Sequence, residues 1–594
     1  MKTMKTMKNI DNNNRKKNLL MIVTMLAVMS LLSISCENFL DKEPLDKIGN
    51  KQYWTSSKDL ENYTIQFYTK FKTFNANDEN YIGIFGGDAF SGSDNAIHGY
   101  TPNDYLNGTR SVVANNAAWN WESIRQVNIF FGNYAKCQDD ISMYQHFGGE
   151  AHFFRAFFYF AKVQQFGDVP YYQNELSMQD ESLYKARDPR SLVVDSILSD
   201  LDKSITFLDP LHKVSGGRNR LSKEAALLFK SRVTLYEGTW QKYHAGTEFA
   251  SAGVDPSKYF RIAVDAVDEL LRSPSVGIST GQVTDAYYEL FNKLDYSNNK
   301  EILLWRRYSA ALSQLNAAQM FLSNRPSQVG MTMSLVASYL DKDGEVYDME
   351  EAMGQYKGNA FLVQMAANLD PRFAQSIRIP GDLMWNNANG INYFDKPAID
   401  MTGELGNSTG FHSKKGSDPK GNTAGGVYSV IDENGAIVFR FAEALLNYAE
   451  AKAELGEVID YDNTINKLRQ RVGMPDFKII NEPNKEDYGY PISDQLYEIR
   501  RERRSELAME DFRVNDIKRW RAHKLIQGKR PKGYPFDPSE WNGLKPKVDS
   551  KGLLDPMSAS MPNGYGFKEN RDYLNCIPTA EIVRNPNLKP NPGW

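Results

Sequence analysis

A chain of 594 residues with 24 % charged residues and a formal net charge of −4 has the size and polarity of a large globular protein. Its first 35 residues hold six Lys and Arg against one Asp, so the remainder is more acidic than the whole, which excludes a nucleic-acid binder working through a basic surface. Three dispersed cysteines, Cys36, Cys137 and Cys576, exclude a zinc site or a disulfide framework, and Cys137 and Cys576 are read as two thiols or one bridge.

Lys2, Lys5, Lys8, Arg15, Lys16 and Lys17 precede an apolar run over 19–32, and S-I-S-C ends at Cys36. The run is short for a bilayer span and fits the apolar region of a secretory signal. A cysteine after small residues is the lipoprotein form of that signal, so 1–35 is read as a lipoprotein signal peptide and Cys36 as the lipidated residue. Leu32 stands one place further from Cys36 than is usual, with Ser33 in its place. Residues 36–50, acidic and containing a proline, are read as a tether that anchors the protein to a membrane without spanning it.

Helical periodicity then predicts helices over 51–68, 119–134, 191–207, 222–240 and 259–271, with Ser222 as a cap. The stretch 149–170 is apolar nearly all round and predicts a buried helix stopped by Gly167 and Pro170. Residues 74–108 are loop-like, and the Gly-rich 83–95 has neither a phosphate-loop nor a nucleophile-elbow pattern. Between 273 and 435 helical periodicity is weak, with a strand expected over 302–308. A helix is predicted over 438–456, with Val438 and Leu445 on its apolar stripe, and another over 465–472.

Residues 497–520, YEIRRERRSELAMEDFRVNDIKRW, predict one charged helix that Ser493 and Asp494 can cap. Arg503 falls on its apolar stripe, four residues from Ile499 and Leu507. A guanidinium there cannot shed its charge and must be paired, with Glu502, Glu506, Glu510, Asp511 and Asp516 as the expected partners. Arg503, Glu506, Asp516 and Trp520 are thus read as an internal lock, the alternative being an exposed helix laced with salt bridges.

This run, with F-R at Phe512 and Arg513 and D-I-K-R-W at 516–520, resembles the SusD-like (RagB/SusD) family of nutrient-binding outer-membrane lipoproteins of Bacteroidetes-type bacteria. Similar landmarks recur in order: C-E-N-F-L-D-K-E-P at 36–44, F-F-R-A-F-F-Y-F at 153–160, F-G-D-V-P at 166–170, V-A-S-Y-L-D-K-D-G at 336–344, N-L-D-P-R-F at 368–373, S-T-G-F-H-S-K-K-G at 408–416 and the ending 573–594. The resemblance implies a mainly α fold, a tetratricopeptide-like helix-pair scaffold with long loop-rich insertions and a few short strands. On that expectation 51–594 is one SusD-like helical domain, with scaffold helices at about 51–272 and 436–520, ligand-binding insertions at about 74–118 and 273–435, and a turn-rich tail at 521–594. It further implies polysaccharide utilisation, a cell-surface position, and a SusC-like TonB-dependent transporter as partner.

Aromatic residues make up 12 % of the chain, a surplus suited to flat sugar faces. Loops that pair rings with amides or carboxylates offer Asp88, Asn95, His98 and Tyr100; Tyr287, Tyr288, Trp305 and Tyr308; and Trp385 and Tyr393 as candidate ligand-binding residues. No cofactor or catalytic set is expected, and a calcium ion at the turn 432–435 is the alternative to an empty turn. Non-catalytic capture of an oligosaccharide is the favoured reading, with peptide capture and glycan hydrolysis as the others.

Overall fold

The computed structural model describes residues 53–74, 93–99, 102–323, 325–387, 390–421 and 432–594. The expected signal peptide, the expected lipidation site at Cys36 and the expected tether lie outside these residues. The scaffold is built from α1 (Ser57–Ile65), α2 (Glu122–Asn133), α3 (Ile141–Phe166), α4 (Arg190–Phe207), α5 (Lys223–Tyr243) and α6 (Ser257–Leu271). Two helices of the insertion, α7 (Gly358–Asn368) and α8 (Arg372–Ser376), follow, and then α9 (Phe441–Leu455), α10 (Ile465–Arg471), α11 (Asp494–Glu506) and α12 (Arg513–Arg519) return to the scaffold. Helix α3 packs along α4, α5 along α6, and α9 crosses both α5 and α6 before meeting α11. The fold is mainly helical, with a tetratricopeptide-like arrangement of helix pairs.

Capping chemistry sets several boundaries. Ser56 and Asp59 form a reciprocal capping box at α1, and the Ser222 hydroxyl accepts from Ala225 N at 3.2 Å at α5. Gly167 ends α3 with a positive φ of 71°. That helix starts at Ile141, well before the predicted 149; residues 141–143 are exposed and only Tyr144 and Phe147 pack on the core before Gly148, too few to mark an apolar stripe.

Much of the ring surplus is core. Phe71, Phe153, Phe154 and Phe157 pack with Phe229 and Phe439 at centroid separations of 5.0–6.3 Å. A second apolar core, holding Phe361, Phe373 and Phe411, sits under the insertion.

Among the described residues two small antiparallel sheets tie distant segments together and a third is a local hairpin. Strand β1 (Ala96–His98) pairs with β3 (Val329–Met331), β2 (Ile302–Arg306) with β6 (Ala436–Arg440), and β4 (Leu383–Asn387) with β5 (Gly390–Tyr393). Val438, expected on a helix, is therefore in a strand. The helix begins only at Phe441, because pairing with β2 satisfies the backbone of 436–440 and overrides its weak local preference.

The charged stretch near the C-terminus also differs from expectation. It is two helices, α11 and α12, broken over 507–512, where Met509 and Asp511 take positive φ of 65° and 66°. The break lets the stretch face several partners. Arg503 Nε donates to Asp516 Oδ2 at 2.9 Å and its Nη1 to Asn447 Oδ1 at 2.9 Å. The other expected partners serve different cations: Glu502 takes Arg372 and Arg469, Glu510 takes Lys415 and Arg440, and Asp511 takes Lys72. Trp520 is buried, and its Nε1 donates to Glu450 Oε1 at 2.6 Å.

Arg503→Ala is expected to lower stability by about 3 kcal/mol or more, because it strips one partner from a buried pair. Urea unfolding measures this; an unchanged midpoint would remove Arg503 from the structural set.

The S-T-G-F landmark also has a backbone cause. Asn407 Oδ1 accepts from Thr409 N and Gly410 N, and Gly410 adopts φ 85° with the Tyr534 ring 2.4 Å from where a Cβ would sit. Gly410→Ala is accordingly expected to cost about 2 kcal/mol or more through combined strain and overlap. Differential scanning calorimetry on this variant reads the cost directly.

In the tail, Trp594 Nε1 donates to Leu574 O at 3.1 Å, and the Arg571 guanidinium lies 4.4 Å from its ring centre. Cys137 and Cys576 are both free thiols.

Candidate functional site

The insertion is held to the scaffold by a buried lattice of ion pairs centred on Glu506 of α11. Glu506 receives Arg440 at 2.7 Å, Arg471 at 2.6 Å and Arg372 at 3.0 Å. Glu301, beside β2, binds Arg440 and Arg471 in turn. Arg372 also engages Asp370, whose carboxylate accepts from Arg372 N at 2.9 Å, so the D-P-R turn of the N-L-D-P-R-F landmark aims the guanidinium inward. Lys415, from the S-K-K-G landmark, adds bonds to Glu510, Ala508 O and Tyr287 Oη. Burial would raise the Glu506 carboxyl, but Arg471, Arg440 and Arg372 outweigh it and hold the group far below its usual range.

A second anchor reaches the short segment 93–99. Asp94 accepts from Arg513 at 2.7 Å and from Arg504 at 3.0 Å, and Arg504 Nε donates to Asn95 Oδ1 at 2.9 Å. Burial, which favours the neutral acid, is again overcome by these two arginines, and Asp94 stays charged. Thr332 closes the segment from the insertion side, with its N bonded to Asn95 O and its hydroxyl to Asp94 O. The Arg-rich stretch thus positions both insertions at once.

The candidate ligand-binding residues divide by exposure. Asp88 and Tyr100 lie outside the described residues. Asn95 is buried on Arg504, Tyr287 is buried with its hydroxyl on Glu506 O, Trp305 packs edge-on to Tyr296 at 5.3 Å, and the buried Tyr308 hydroxyl bonds Phe74 O. These four are corrections: each ring or amide is consumed by the core or the lattice and presents no face to solvent. Tyr288 is half-buried, and its hydroxyl donates to Ser417 O at 2.7 Å, fixing the base of the next element. His98 is half-buried on β1, its imidazole pKa lowered by burial.

The β4–β5 hairpin is different. Its register places Asn386 opposite Ile391, on the face shared with Tyr393, and Trp385 opposite Asn392 on the other. Ile391 is 61 % and Tyr393 60 % exposed, while Trp385 is half-buried. The hairpin does not stand free, because Asn386 N donates to Pro419 O and Asn387 Nδ2 to Gly421 O. It is a ring-bearing, amide-bearing ridge on a fixed base.

Elsewhere in the insertion are exposed apolar side chains that sequence reasoning missed: Leu312, Met401 and Leu405. Each is a lone apolar residue in a polar loop, and local pattern carries no signal of exposure. The segment 401–406 is joined to 325–328 by the Arg325–Glu404 pair at 2.7 Å and by Gln328 Nε2 to Gly403 O at 3.0 Å, and Gly99 N donates to Gln328 O, which brings β1 and His98 to the same side of the insertion.

The chemistry on offer is recognition. Apolar and aromatic faces beside amides suit a ligand with flat C–H faces and hydroxyls. Burial pushes the Asp432 carboxyl up to about 7, but its oxygens accept from Gln319 N and Asn434 N and it faces inward. Among the described residues no group of three or more His, Cys, Asp or Glu is arranged to hold a metal.

A family model described as "SusD family" matches residues 274–594, and a second, described as "Starch-binding associating with outer membrane", matches residues 38–235. SusD-like protein P38 of Formosa agariphila is 23 % identical over 516 residues, covering 85 % of this chain and 92 % of that protein. Among solved structures, a SusD-like protein of Bacteroides fragilis superposes with a TM-score of 0.70 at 23 % identity, covering 93 % of this chain and all of that one. A SusD-like carbohydrate-binding protein of the same species gives 0.68 at 20 % identity, over 90 % of this chain and all of the other.

Proposed function

Because the chain belongs to the SusD family, whose model spans more than half of it, we propose that it captures an oligosaccharide at the cell surface and delivers it to a SusC-like TonB-dependent transporter. Capture is non-catalytic and needs no cofactor. The observation that carries this reading is the exposed β4–β5 ridge, where one face sets the Tyr393 ring beside the Asn386 amide and the other sets half-buried Trp385 beside Asn392, the stacking faces and hydrogen-bond groups that pyranose rings use. The carbohydrate-binding relative and the outer-membrane association described for the N-terminal family support the ligand class and the location. Anchorage rests on acyl chains at Cys36, and among the described residues no helix is long and apolar enough to cross a membrane. Residues 51–594 serve as one functional unit, the lattice and Asp94 holding the loops that meet ligand.

Glycan and peptide arrays probed with the unlipidated Cys36→Ser protein test the ligand class. Saturable binding to a glycan set is expected; binding confined to peptides would move the function to peptide capture, and release of reducing ends by the pure protein would make it a hydrolase. Co-purification of a TonB-dependent transporter from solubilised outer membranes is the expected sign of the partner, and its absence from a stable, lipidated preparation would remove that part of the proposal.

A further inference from the structure

A cavity of about 590 Å3 opens inside the scaffold between α3, α5, β6 and α12, away from the hairpin. Phe157, Phe229, Phe439 and Phe512 line one side, the Arg232 guanidinium lying 5.0–5.8 Å from the centres of the last three rings, and Lys162 and Lys518 belong to the polar part of the lining. The four carboxylates of the lining are matched: Asp516 by Arg503 and Arg519, Glu443 by Arg232, Glu510 by Arg440 and Asp511 by Lys72.

The two buried lysines are not. Among the described residues Lys518 Nζ makes one hydrogen bond, to Gln164 O at 3.2 Å, and lies 5.1 Å from the Tyr105 ring centre. Lys162 Nζ donates to the backbone carbonyls of Ala118 and Asn120 and lies 5.0 Å from the Trp121 ring centre. Among the described residues neither ammonium has a carboxylate within 4.0 Å. Burial lowers Lys518 to about 7, with Arg110 and Arg190 adding like-charge repulsion, and burial alone lowers Lys162 to about 8. Two buried ammonium groups on the lining of one cavity lack the counter-ion that buried charges require.

We propose that this cavity binds an apolar monocarboxylate of the fatty-acid class, its acyl chain along the phenylalanine wall and its carboxylate received by Lys518 and Lys162. The site is independent of glycan capture. An acyl chain matches the wall and the volume, and a carboxylate supplies charge-assisted hydrogen bonds to donors that have too few acceptors.

Isothermal titration of the Cys36→Ser protein with dodecanoate, below its micellar concentration, and with dodecan-1-ol tests this. Saturable dodecanoate binding is expected, with the alcohol weaker by about tenfold or more, since it lacks the charge. Lys518→Met is expected to weaken dodecanoate about tenfold while leaving glycan binding and the unfolding midpoint unchanged or the latter raised, because it removes an unmatched buried charge. Ala161→Phe, which fills the cavity from α3, is expected to abolish binding and stands in if the lysine variant fails to fold. Absence of saturable binding, equal affinity for acid and alcohol, or indifference to both variants would overturn the proposal.

Discussion

Replacing Glu506 by alanine is expected to destabilise the protein by at least about 3–5 kcal/mol, the cost of breaking a buried ion pair, because three guanidinium groups lose their shared carboxylate together. Arg372 and Arg440 keep other acids, Asp370 and Glu510, so the lattice loosens without every bond failing. Arg471 keeps only Glu301, which it shares with Arg440. The loss falls at the junction between insertion and scaffold, so the variant should show an early unfolding step in which tryptic cleavage concentrates in 273–435. Glu506→Gln should recover part of the loss, since an amide oxygen still accepts. Equal stability of wild type and Glu506→Ala in urea would mean that the apolar cores hold the insertion by themselves.

A separate buried cluster, around Glu450 of α9, sets an acid limit. Glu450, bound by Arg519 and Trp520, is held down to about 2 from 4.5, the arginines outweighing burial. A carboxylate depressed in the folded state contributes stability that is complete above its unfolded value and is lost as pH falls through the folded one. Stability should therefore be flat above about pH 5 and decline between about 4.5 and 2, as thermal midpoints across that range would report.

Much of this was legible in the chain because it is local. Helix pairs follow from periodicity and the pairing of Arg503 from the impossibility of leaving a buried guanidinium alone, while the S-T-G-F and N-L-D-P-R-F landmarks are visible as a resemblance whose turn bonds the structure supplies. What was not legible is long-range. Nothing near Glu506 says that its cations come from 372, 440 and 471, nor that Val438 joins a strand because 302–306 waits beside it. Exposure of the candidate rings was equally hidden. Tyr287 and Tyr393 sit in similar polar surroundings in sequence, yet one is locked under Lys415 and Glu506 and the other stands on an open ridge.

That contrast supplies the second large effect. Tyr393→Ala should lower affinity for the captured glycan by about 2 kcal/mol, roughly thirtyfold, if its ring is a central stacking contact. Stability should change by no more than about 0.5 kcal/mol, because the side chain is mostly in water. Trp385→Ala, on the opposite face of the hairpin, should weaken binding less and cost some stability, its ring being half-buried. Tyr287→Ala behaves oppositely: it removes a buried ring that donates to Glu506 O and accepts from Lys415, so folding fails before recognition does. Measured together, the three separate a binding ridge from a merely exposed one. Wild-type affinity in both hairpin variants would place the ligand elsewhere on the insertion, whereas loss in Tyr393→Ala with an unchanged melting curve ties capture to this ring.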